Sequence, residues 1–216
     1  MGRENKKAAV AALHRQQILS AAEKLFTEKG FEQTTIGEIS EASAYSRRTI
    51  YAYYTSKEDI LHHIVAGGLH RLKEDLTAVL NRDGSFENRF LEICRAMQRY
   101  QYQCPQSAGQ VVQGKTAALP NNAEQMTPAL RQILQLGSEI NGMLKDFLKE
   151  GKQKGDVRSD VTEEPSVYIL WSSISGLLAL TQTKGTFLTE SLTMTEEQFL
   201  EYGFRQILRS IQEVKP

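Results

Sequence analysis

Apolar residues recur along most of this chain at intervals of three and four, the spacing of one face of an α-helix. Alternation of apolar and polar residues long enough to predict a strand is not found. The first clear stripe is Ile18, Ala21, Ala22, Leu25 and Phe26, which predicts a helix over about 13–29, stopped by Gly30. Phe31 is placed to fold back onto that stripe. Residues 1–12 are polar and alanine-rich and read as a frayed arm or an extension of the same helix.

A compact set of start signals follows. Thr35-Ile36-Gly37-Glu38 has the capping-box form, so Thr35 is expected to cap a short helix ending near Ala42. Ser43-Ala44-Tyr45 is a three-residue break. Ser46 then caps a second short helix over 47–53. Ser56-Lys57-Glu58-Asp59 places acids in the first turn of a long helix over 57–80, where the helix dipole favours them. Further helices are predicted over about 86–103, 127–151, 164–183 and 195–214. The segments 106–122, 152–161 and 184–194 are expected as loop or connector. The pattern as a whole predicts an all-α protein of about nine helices. An N-terminal three-helix domain (1–60) is followed by a larger helical domain (61–216).

Two short helices joined by a tight turn, behind a longer one, form a helix-turn-helix, whose second helix enters the major groove of DNA. Arg47 and Arg48 fall in the first turn of that helix, where guanidinium groups reach guanine edges or phosphate. Ser46, Thr49, Tyr51 and Tyr53 supply hydroxyls for the same surface, Thr35 a further one, and Lys57 a cation at the start of the next helix. A solvated helix face also reads Arg-Arg-Thr-Ile-Tyr, so periodicity alone leaves both readings open.

Charge supports the first. The 216 residues carry 26 basic and 26 acidic side chains, so no global basic field exists. Residues 1–57 nonetheless hold nine Lys and Arg against six Glu, a local balance of +3. Two cysteines, Cys94 and Cys104, predict a reducing compartment. With no signal-peptide pattern and no apolar run able to span a bilayer, a cytoplasmic protein without membrane contact is expected. No nucleophile elbow, phosphate-binding loop or metal-ligand spacing occurs, so no enzyme activity, cofactor or metal is expected. His62, His63 and His70 share one helix without further ligands in reach. Cys94 and Cys104 are expected to be buried thiols.

The run from Thr34 to Ile60, with Ile18-Leu19-x-Ala21-Ala22-x-x-Leu25-Phe26-x-x-x-Gly30-Phe31 before it, closely resembles the TetR family signature over about residues 13–62. The resemblance implies that Thr35, Ser46, Arg47, Arg48, Thr49, Tyr51, Tyr53 and Lys57 touch double-stranded operator DNA. It implies that Phe26, Ile39, Ile50 and Tyr54 are core. Three positions depart from the family pattern. Ala44 stands where the turn usually has Gly, and a left-handed conformation there would cost it about 1 kcal/mol, so a different or extended turn is expected. Tyr45 replaces a small apolar residue and is expected to face solvent or DNA. Arg48 stands where Gly is frequent and is expected to alter operator preference.

For the rest of the chain the resemblance implies a homodimer and a cavity for a small-molecule effector, largely apolar. Val167, Ile174, Gly176, Leu177, Phe199, Phe204, Ile207 and Ile211 are the expected dimer surface; an ordinary monomer core is the other reading. Phe90, Cys94, Met97, Tyr100, Met126, Leu130, Leu134 and Trp171 are the expected cavity wall, and simple core filling is as good a reading for each. The implied function is a repressor released from DNA by its effector. Control by a partner protein is the alternative.

Overall fold

In the computed structural model, which describes residues 2–103 and 126–213, eight α-helices follow one another. They are α1 (Gly2–Lys29), α2 (Ile36–Ser43), α3 (Arg47–Tyr53), α4 (Lys57–Leu80), α5 (Phe86–Gln103), α6 (Pro128–Gln153), α7 (Glu163–Leu192) and α8 (Glu196–Arg209). Among the described residues the sole extended pairing is an isolated antiparallel bridge between Val157 and Gln212. No described helix is long and apolar enough to cross a membrane. The all-α prediction holds. The expected loop over 106–122 and Cys104 lie outside the described residues.

The chain divides into two compact units, residues 2–68 with 126–134, and residues 69–103 with 135–213. In the first, α1 packs on α2 and α2 on α3. The predicted stripe is the core: Ile18, Ala22, Phe26, Ile39, Ile50 and Ile60 are fully buried, and Tyr54 nearly so. Gly30 takes a φ of +85°, the left-handed stop that a glycine adopts without steric cost. The Phe31 ring turns back edge-on to Phe26, 5.2 Å between centroids. The amino-terminal arm continues α1 as helix, and its residues 5–10 are all exposed.

In the second unit, α7 packs on α8 and on α5, and α5 on α8. Phe86 stacks on Phe147 at 4.5 Å, nearly parallel. This ring lies against the backbone of α6, where a Cβ on Gly151 would stand 2.5 Å from Phe86 Cε2. Arg89 holds Glu150 at 3.0 Å and lies over the Phe147 ring.

Two boundaries differ from expectation. The segment 184–194, read as a connector, is mostly helix, because α7 runs to Leu192. Its threonines do not break it: Thr181, Thr183 and Thr189 each donate a hydroxyl to the carbonyl four residues back, at 2.9 Å. The last helix stops early, at Arg209. There the chain turns to the bridge, with Arg158 N–H donating to Ile211 O at 3.0 Å and Glu213 N–H to Asp156 O at 2.9 Å.

Candidate nucleic-acid interface and an apolar cavity

The helix-turn-helix is built from caps. Thr35 N–H donates to Glu38 Oε2 at 2.9 Å, while Glu38 N–H donates to Thr35 Oγ1 at 3.3 Å, the reciprocal capping box the sequence predicts. Lys29 Nζ also donates to Glu38, and these contacts hold its carboxyl down at about 2. Ser46 caps α3, accepting from Thr49 N–H at 3.1 Å. The Ser46 and Thr49 hydroxyls pair at 2.9 Å.

The turn between them keeps its length. Ala44 takes φ 60°, ψ 20°, the left-handed conformation, and closes α2 with a hydrogen bond from its N–H to Glu41 O. The different or extended turn expected from the missing glycine is not adopted; Ala44 accepts the steric cost instead.

Four residues of α3 lie outward: Arg47, Arg48, Tyr51 and Ala52 are exposed, while Ile50 is buried beneath them. The side chain of Arg47 lies back over α2, where a Cβ on Gly37 would stand 2.6 Å from its Nη2. Gly37 is therefore the floor on which that guanidinium rests. Among the described residues no acid belongs to α3.

The remaining predicted contacts separate. Tyr45, expected to face solvent or DNA, is half-buried instead. Its hydroxyl donates to Gln17 and its ring stands 4.8 Å from that of His14, because a large ring in place of a small side chain finds its partners on α1. Tyr53 is half-buried as well, its hydroxyl 3.1 Å from His14 Nδ1 and its ring under the Arg15 guanidinium. Tyr54 is core, as expected; its hydroxyl donates to Arg15 O at 3.2 Å, and burial raises its pKa to about 12.

Lys57 has an internal task. Its ammonium donates to Phe31 O at 2.8 Å, Thr34 O at 2.9 Å and Glu32 O at 3.4 Å, and lies 4.4 Å from the Phe31 ring centroid. An ammonium has three protons, and three carbonyls of the α1–α2 turn receive them. Nothing in local sequence distinguishes this lysine from a phosphate contact.

In the second unit a cavity of about 10 Å³ opens among Phe90, Ile93, Met97, Phe147, Trp171 and Ile174, with Leu144, Leu148 and Leu170 completing it. This is room for about one water molecule. Of the predicted wall, Phe90, Met97 and Trp171 are brought together. Cys94 and Tyr100 are buried but do not line it, and burial pushes the Cys94 thiol far above its ordinary range. Met126, Leu130 and Leu134 fall in the first unit. The Trp171 indole N–H donates to Asn141 Oδ1 at 3.0 Å, so this polar group is satisfied and the wall is apolar.

The predicted dimer surface divides in two. Val167, Ile174, Phe204 and Ile211 are buried within the chain, between 1% and 6% exposed, so no partner can reach them. Leu177, Phe199 and Ile207 are half-buried, and Leu177 packs directly over Gly203 of α8. Gly176 is exposed. The large apolar residues that α7 does present are Tyr168, Ile169, Leu180, Phe187 and Leu192, with Ile169 and Phe187 each 63% exposed. Ile169, Gly176, Leu180 and Phe187 fall within about 20° of one line along the helix.

Residues 18–64 match the family model described as bacterial regulatory proteins, tetR family. The chain is 26% identical over 189 residues to the HTH-type transcriptional repressor BepR of Brucella suis biovar 1, covering 79% of this chain and 81% of that protein. It is 42% identical over 53 residues to the HTH-type transcriptional regulator YfiR of Bacillus subtilis, 24% of this chain and 26% of that one. Among solved structures, the ketosteroid transcriptional regulator KstR2 of Mycobacterium tuberculosis superposes with a TM-score of 0.70 at 18% identity, covering 93% of this chain and 95% of that chain. The TetR family transcriptional regulator PfmR of Thermus thermophilus superposes at 0.68 with 22% identity, covering 92% and 99%.

Proposed function

We infer that this chain, a DNA-binding transcriptional regulator of the TetR family, is a homodimeric repressor that reads its operator with α3 and leaves it when an apolar small molecule enters the α5–α6–α7 cavity. The observation that carries the DNA-reading part is the outward face of α3, where Arg47, Arg48 and Tyr51 are exposed on a helix capped by Ser46 and preceded by α2, itself capped by Thr35. Exposed guanidiniums on a capped helix are suited to guanine edges and phosphates. Ser46 and Thr49 add hydroxyls at the same end. Thr35 caps α2, Tyr53 ties α3 to His14 of α1, and Lys57 holds the α1–α2 turn.

A dimer fits that reading of DNA. Two recognition helices must meet half-sites about 34 Å apart. The exposed stripe Ile169, Gly176, Leu180 and Phe187 on α7 is the surface we assign to the partner copy, since a small residue among large apolar ones lets helices approach closely.

The effector would act by population shift, binding the state in which the cavity is open and drawing molecules away from the DNA-competent one. The wall of Phe90, Met97, Phe147 and Trp171 favours a largely apolar molecule. A cavity of about 10 Å³ favours the second reading, control by a partner protein, because a ligand must first enlarge it.

Selection of bound duplexes from a random library, followed by a panel of hydrophobic small molecules added to the complex, tests both. An enriched palindrome that is lost in the Arg47→Ala/Arg48→Ala variant supports the reading helix. Equal affinity of that variant for the selected duplex overturns it. Release by a panel compound supports the effector, and enrichment without release at any concentration moves the assignment to the second reading.

A further inference from the structure

The amino-terminal half of α1 has no task in the core. Its residues 5–10 are all exposed, and the first fully buried side chain is Ile18. At 1.5 Å per residue, the helix from Gly2 to Ile18 extends about 24 Å. Residues 5–22 contain no acid, and they carry Lys6, Lys7 and Arg15.

The direction these lysines take is fixed by helical geometry. Beside Arg15, His14 and Gln17 of α1 touch the α2–α3 turn and α3: His14 meets Tyr53 and Tyr45, and Gln17 accepts from the Tyr45 hydroxyl. Lys7 lies seven residues before His14, and Lys6 eleven before Gln17. At 100° per residue each lysine falls within about 20° of its partner's line, roughly 10 and 16 Å further along the axis. Both ammonium groups therefore leave α1 on the side where α3 lies. Arg47 and Arg48 are exposed on that same helix α3.

We propose that the exposed amino-terminal half of α1 is a second DNA-contacting element, in which Lys6 and Lys7 bind backbone phosphates beside the segment that α3 reads. The proposal rests on the DNA-reading assignment of α3. It adds a sequence-independent contribution, because phosphate contacts hold a protein on the duplex without reading bases. Arg3, Lys6 and Lys7 stand against the single acid Glu4 in the first ten residues, so the arm keeps a positive balance for that task.

The test is the salt dependence of binding of the full chain to its selected duplex. The Lys6→Gln/Lys7→Gln variant should bind operator and unrelated duplex more weakly by the same factor. Its slope of log affinity against log salt should fall by about 1 for each lysine on each bound protomer. Lys6→Arg/Lys7→Arg should restore the slope. If the wild-type chain enriches no duplex, the reading of α3 itself fails. If the glutamine variant keeps the wild-type slope while Arg47→Ala/Arg48→Ala abolishes binding, the reading of α3 stands and the arm does not touch DNA. A changed oligomeric state at constant slope would give the arm to a second copy and overturn the proposal.

Discussion

Nη2 of Arg47 lies where a single methyl group on Gly37 would come within 2.6 Å of it. The obstructed atom is the far end of a flexible side chain, so the backbone of α2 need not move. Alanine is the better helix former by about 1 kcal/mol. Gly37→Ala should therefore leave the fold as stable or stabilise it by up to that amount, while re-aiming Arg47. Thermal melting would register the first effect. A several-fold change in operator affinity, with no loss of stability, would register the second.

Lys57 separates a structural lysine from a DNA-binding one. Removing its three hydrogen bonds to carbonyls of the α1–α2 turn should cost about 2 kcal/mol, the range for bonds to a charged donor. Lys57→Met keeps the apolar stem over Phe31 and isolates the ammonium. Denaturant unfolding should show the loss. The salt slope of DNA binding by the folded fraction should stay at the wild-type value, since that ammonium is turned inward.

The two sides of α7 should behave oppositely. Val167→Ala removes buried methyl groups and should destabilise each chain by about 1–2 kcal/mol without changing its oligomeric state. Ile169→Glu places a charge on an exposed position and should leave helix content unchanged while converting dimer to monomer in sedimentation. A dimer that survives Ile169→Glu together with Phe187→Glu would remove this face from the interface.

Stability should decline on the acid side before carboxylates titrate. Burial lowers the pKa of His62 and His63 below the ordinary 6.5, the opposing pull of Asp59 on both and of Glu58 on His62 notwithstanding; His63 also repels His62, and Arg15 adds to the lowering at His63. The Nδ1 of His62 is buried without a hydrogen-bond partner. A proton thus binds the unfolded chain more readily than the folded one. The contribution is fully present above pH 6.5 and is lost as pH falls below it. Melting temperature should drop between about pH 7 and 5 in the parent and stay flatter in His62→Gln/His63→Gln. Glu38, held down at about 2, adds a later loss between about 4.5 and 2.

Local signals are the legible ones. Thr35 with Glu38, Ser46, Gly30 and the stripe from Ile18 to Phe26 each act within a few residues, and each stands as the sequence predicts. What escapes depends on neighbours distant in sequence. Periodicity makes α7 amphipathic but does not say which side turns inward, so the sequence offers Val167 and Ile174 to a partner and passes over Ile169 and Phe187. The segment 184–194 reads as a connector, yet α7 runs through it to Leu192, its threonine hydroxyls satisfied by carbonyls four residues back. Lys57 and Tyr45 look like surface groups because the carbonyls and the Gln17 amide that receive them lie 23 to 28 residues away. The cavity is half legible: its aromatic and methionine wall follows from the pattern of α5, but Phe147 and Leu148 of α6 cannot be matched to it.

Ala44 has a consequence for motion. Its methyl group crowds the backbone at a conformation that glycine adopts freely, so the joint between α2 and α3 is held about 1 kcal/mol above its relaxed state. Openings begin where the least free energy is needed. The amide protons around Ser43 to Tyr45 should accordingly exchange with solvent several-fold faster than they do in Ala44→Gly. Slower exchange at Ile50 and Tyr54 than at Ser43 to Tyr45 would place that opening at the leading edge of α3 rather than in its buried part.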